Sequence, residues 1–84
     1  MRFLLHEHAA SAVRVFGSWD GWAEPGLEAR ELEPGVWQAE LRRPAAGRYA
    51  YKFQLDGARW LADHANPGRA HDGFGDFNSL LAVG

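Results

Sequence analysis

Apolar and polar positions alternate with a period of two along nearly the whole chain, which predicts strands. The clearest case runs from Arg48 to Leu55. Tyr49, Tyr51, Phe53 and Leu55 fall on one face, and Arg48, Ala50, Lys52 and Gln54 on the other. Ala12 to Phe16 alternates as well, with Val13 and Val15 opposite Arg14. Val36 to Leu41 follows the turn signal Pro34-Gly35 and sets Trp37, Ala39 and Leu41 against Gln38 and Glu40. Arg2 to His6 reads as an edge strand, Leu27 to Leu32 as a weak strand, and Asn78 to Val83 as the closing one. Arg42 to Gly47 is a Pro/Gly loop, and residues 62–77 form a long loop rich in Gly, Pro, Asp and Asn without a period. No segment carries a helical stripe.

Short strands with turn signals at this spacing predict an all-β fold, an immunoglobulin-like antiparallel β-sandwich. At 84 residues the chain reads as a single domain, 1–84, whose small core must use its side chains well. Four Trp, five Phe and two Tyr suit that need, but they exceed it, so some rings are expected at the surface. The absence of cysteine excludes a disulfide framework and a Cys-based metal site. A net charge of −2 without a basic run argues against an electrostatic nucleic-acid binder. No apolar run reaches membrane-spanning length, and the N-terminus lacks a signal pattern, so a soluble cytoplasmic domain with no membrane partner is expected.

Candidate chemistry gathers around Lys52, the single lysine of the chain. Alternation puts it on the polar face of its strand, where its amine is open to solvent or to a ligand. The position of Trp60 depends on the turn that follows. A two-residue turn, Asp56-Gly57, pairs Trp60 with Phe53 and points the indole into the core. A three-residue turn, Asp56 to Ala58, pairs it with Gln54 and sets it beside Lys52. The aromatic face is already well filled, which favours the outward placement. In G-S-W-D-G-W, Gly17 to Trp22, a turn-like loop can hardly bury two indoles; Trp19 is expected to anchor the loop on the core and Trp22 to be exposed.

Flat rings beside a few hydrogen-bonding side chains suit sugars, whose axial C–H face stacks on an indole while hydroxyls bond around the rim. Single-stranded nucleic acid also stacks, but needs a positive groove. A proline-rich peptide is a further ligand type that aromatic grooves read. Catalysis finds little support. His64, His71, Asp63, Asp72 and Asp76 share the long loop without compact metal-ligand spacing. A glycosidase needs two carboxyl groups across a cleft, and no nucleophile signature is present. A non-enzymatic domain without metal or cofactor is expected.

In order, G-S-W-D-G-W, P-G-V-W-Q-A-E-L, G-R-Y-A-Y-K-F-Q-L-D-G and G-D-F-N-S-L-L resemble the glycogen-binding domain of the AMP-activated protein kinase β subunit. More broadly, they resemble family-48 carbohydrate-binding modules, such as the N-terminal modules of isoamylase and branching enzymes. The resemblance spans about Ala12 to Val83. It implies a β-sandwich that binds α-1,4-glucan through Trp22, Lys52, Trp60 and Asn78, with Phe74 inserted into the curve of the glucan and Asp76 at a sugar-contacting position. Three departures stand out: one extra residue after D-G, Phe74 where a leucine is expected, and Asp76 in place of a hydroxyl residue. The expected partner is an α-glucan polysaccharide or maltooligosaccharide. A rival expectation is an immunoglobulin-like interaction or scaffold domain, docking a kinase or glucan-metabolising enzyme through the edge at Arg2 to His6 or through the aromatic patch.

Overall fold

The computed structural model describes all 84 residues. Nine strands follow in chain order: β1 (Arg2–His6), β2 (Val13–Gly17), β3 (Leu27–Glu28), β4 (Arg30–Glu33), β5 (Val36–Glu40), β6 (Gly47–Leu55), β7 (Arg59–Leu61), β8 (Arg69–His71) and β9 (Phe77–Val83). The fold is all-β apart from one 3-10 turn at Ser18–Asp20. A three-stranded sheet in the order β1-β5-β4 faces a larger sheet in the order β3-β2-β6-β9-β8, with β7 also paired to β6. Every pairing is antiparallel.

The core lies between the sheets and follows from the alternation. Phe3, Leu5, Trp37 and Ala39 come from the small sheet, and Val13, Val15, Tyr51, Phe53 and Leu55 from the large one. Trp37 satisfies its ring N–H by donating to the Glu7 carbonyl at 3.0 Å. Trp19 packs as expected, its ring 5.6 Å from Phe3 and 6.5 Å from both Tyr49 and Tyr51. That ring lies flat on Gly17. A Cβ there would come within 2.3 Å of it, so only glycine permits the contact.

Two expectations need correction. Leu27 to Leu32 is not one strand but two, because the chain changes sheets at Ala29. β3 pairs with β2, Ala29 donates its N–H to the Val13 carbonyl at 2.9 Å, and β4 then pairs with β5. Residues 62–77 are not structureless either: β8 forms within them and pairs with β9, which itself begins at Phe77.

β6 positions everything that follows. One of its edges pairs with β2 throughout Tyr51 to Leu55. Along the other edge the partner changes, with β9 on Gly47 to Tyr51 and β7 on Phe53 to Leu55. Lys52 sits at the changeover. There β7 and β9 part, and the segment joining them through β8 folds back over the outer face of the large sheet.

Candidate functional site

The turn after β6 takes three residues. Leu55 pairs with Arg59, Gln54 with Trp60 and Phe53 with Leu61, and Ala58 donates its N–H to the Leu55 carbonyl at 3.0 Å. Trp60 therefore shares the outer face with Lys52, and 47 % of it is exposed. Its ring meets the ring of Phe16 edge to face at 5.2 Å. Phe16 is buried although it points away from the main core, and it forms the floor on which Trp60 stands. Sequence reading overlooked this support. The signal was present, since alternation in β2 sets Phe16 opposite Val13 and Val15.

Trp22 follows the 3-10 turn with φ of 64°, a left-handed conformation that bulky residues seldom adopt. It is held there by donating its N–H to the Gly17 carbonyl at 2.9 Å, while Asp20 accepts the Ala23 N–H at 3.2 Å. Trp22 is half-buried rather than fully exposed.

Lys52 departs further from expectation. Only 8 % of it is exposed, and its Nζ donates to Asp72 Oδ2 at 2.6 Å, with Asp76 Oδ2 at 3.9 Å. The polar face of β6 is covered here by residues arriving from twenty positions along the chain, so the ammonium is paired and sheltered. Asp72 Oδ1 also accepts the N–H groups of Phe74 at 2.7 Å and Asp76 at 3.2 Å. Phe74 stands 93 % exposed between Gly73 and Gly75, whose φ values of 85° and 88° bend the backbone around it.

Trp22, Lys52, Trp60, Phe74, Asp76 and Asn78 line one cleft of about 560 Å³, together with Asp72. All six residues singled out in the sequence are thus brought together, and Asp72 is the one that was missed. The cleft holds two carboxylates and one ammonium. Its rings come from three separate chain segments, and Asn78 projects from β9 beside them. His64, His71, Asp63, Asp72 and Asp76 assemble into no group of three or more side chains suited to a metal ion. His71 instead packs against Phe77, the two rings tilted and their centroids 4.7 Å apart.

Two ionisable groups are shifted. The hydrogen bond from Lys52, then the Phe74 amide, hold the Asp72 carboxyl down to about 2 from its ordinary 3.8. A depressed acid stabilises the fold in its ionised form. Its contribution is complete above about pH 4, shrinks as the pH falls toward 2, and is gone below that. The Phe74 amide resonance, bonded to the Asp72 carboxylate, is therefore expected to hold steady from pH 7 to 4 and to titrate near pH 2. A midpoint near the ordinary value would show that the pair does not hold in solution. Tyr51 is shifted upward, chiefly by burial, so it stays a neutral phenol that donates to Asp63 Oδ2 at 2.7 Å. Asn66 donates to the Tyr51 hydroxyl oxygen at 3.0 Å and to the Leu80 carbonyl at 2.7 Å, which fixes the base of the loop next to the cleft.

No protein-family model matches the chain, and no curated protein matches it. No helix is long and apolar enough to cross a membrane.

Proposed function

We propose that this chain is a non-catalytic carbohydrate-binding module, immunoglobulin-like in its sandwich, that holds α-1,4-glucan in the cleft of Trp22 and Trp60. One observation carries the reading: the six residues that the glycogen-binding resemblance implies, scattered from position 22 to 78, line a single cleft. Trp22 and Trp60 stack on the C–H faces of successive sugars. Asn78 bonds hydroxyls, Asp76 accepts from them, and Phe74 fills the concave side of the curved chain. Lys52 spends one of its three N–H donors on Asp72 and directs what remains at the sugar.

Charge supports a neutral ligand. An anionic polymer would meet two carboxylates and an ammonium that is already paired. The contact surface is small, open and contested by water, so each site binds weakly and gains from a polymer with many repeats. The partners of this reading are glycogen, starch or maltooligosaccharide in the cytoplasm, with a glucan-metabolising enzyme or kinase served by the module.

Titration with maltoheptaose or β-cyclodextrin tests it. Saturable quenching of tryptophan fluorescence is expected, matched by heat in calorimetry and unchanged by salt, since no counterions are released. A flat response at millimolar sugar overturns the reading.

A further inference from the structure

Phe74 is the least supported wall of the cleft. Its ring is 93 % exposed, so it is not held in place by packing. Two left-handed glycines flank it, and glycine restricts a chain less than any other residue. Something else must set where this ring stands relative to Trp22 and Trp60.

We infer that Asp72 is the positioning residue of the cleft, tying the Phe74 loop to β6 through the ammonium of Lys52. One carboxylate does two jobs. Oδ1 accepts the N–H groups of Phe74 and Asp76, and the Asp72 N–H donates to the Asp76 carbonyl at 3.0 Å, so residues 72–76 close into a compact ring with Phe74 at its apex. Oδ2 binds Lys52 Nζ at 2.6 Å, with both side chains nearly removed from solvent at 10 % and 9 % exposure. The first set shapes the loop and the second fixes it on the sheet. Lys52 has its place at the parting of β7 and β9 because a cation there reaches the returning segment. Its main work is then to hold the loop, and direct contact with sugar is secondary. A loop fixed before binding has less freedom to lose when ligand arrives, which raises affinity.

The inference rests on the glucan reading for its effect on sugar, but the tether can be read without sugar. In Asp72→Ala, and in Asp72→Asn, which keeps an acceptor for the two amides and removes only the ion pair, amide exchange at Phe74 and Asp76 is expected to speed up at least tenfold. Exchange in β2 and β6 should stay near wild type. Maltoheptaose affinity is expected to fall about tenfold in each variant. Lys52→Met should cost at least as much, since it also removes the secondary contact with sugar, and the Asp72→Asn/Lys52→Met pair no more than Lys52→Met alone, because Asp72 acts through that ammonium. Additive losses would show that Asp72 acts on binding other than through Lys52 and would overturn the inference. So would unchanged exchange at Phe74, or wild-type sugar affinity in Asp72→Asn. If wild-type protein binds no sugar, the glucan reading falls, and the exchange data alone uphold or overturn the tether.

Discussion

Replacing Trp60 with alanine is expected to abolish measurable glucan binding while leaving the fold intact. The indole stands at the cleft with 47 % of its surface exposed, and its one ring partner is Phe16 beneath it. A central aromatic anchor at a binding site contributes about 2 kcal/mol or more, roughly a thirtyfold change in affinity. A weak single site does not survive that loss within the accessible concentration range. The fold, in contrast, gives up an edge-to-face contact and part of one half-buried ring, about 1–2 kcal/mol, which lowers Tm by roughly 4–16 °C. Fluorescence gives an internal check. Trp37 is buried and Trp19 packs on the core, so ligand-dependent quenching comes from Trp22 and Trp60. In Trp60→Ala, Trp22 should report no saturable change up to millimolar maltoheptaose. Undiminished affinity in a folded Trp60→Ala protein would remove the central stacking wall from the proposed site.

Residues whose surroundings are set by local alternation were legible in the sequence. Tyr51, Phe53 and Leu55 point into the core because a nine-residue strand with a strict period leaves them no other face. The facing of Trp60 was legible up to one residue of turn length, and the crowding of the opposite face pointed to the longer turn that forms. What could not be read is set by distant partners. Ala29 looks like mid-strand, yet it marks a change of sheet, because the pairings on either side belong to β2 and β5. β8 has only three residues and exists because β9 offers it an edge. The burial of Lys52 is the sharpest example, since it needs Asp72, twenty positions later in a segment with no period. Asp72 itself had a local sign. An aspartate followed by glycine, two residues before Phe74, is the setting in which a carboxylate accepts a backbone N–H just ahead of it. That sign predicts the turn, but not the cation on the carboxylate's other oxygen.

Phe53→Ala is expected to be the most destabilising single ring truncation on β6, and to act in the opposite sense from Trp60→Ala. Phe53 is 1 % exposed and belongs to the one core cluster of the protein. It pairs with Val15 on one side and Leu61 on the other, and its ring meets Tyr51 nearly at right angles, 6.1 Å apart. Removing a fully buried phenyl ring costs about 3–5 kcal/mol, through lost burial and the cavity left behind. At about 0.05–0.15 kcal/mol per residue, a domain of this size has only about 4–13 kcal/mol in total. The expected fall in Tm is therefore roughly 12–40 °C, and at the upper end the variant is unfolded at 25 °C. Leucine at the same position fills most of the space and should cost under about 2 kcal/mol. Thermal and urea denaturation followed by circular dichroism measure both. Below its own Tm, Phe53→Ala should bind maltoheptaose as the wild type does, because the cleft lies on the other face of β6. A Phe53→Ala protein within about 5 °C of wild type would mean that the two sheets do not close on this ring as described, and the outward placement of Lys52 and Trp60 would lose its basis, since both depend on the same register.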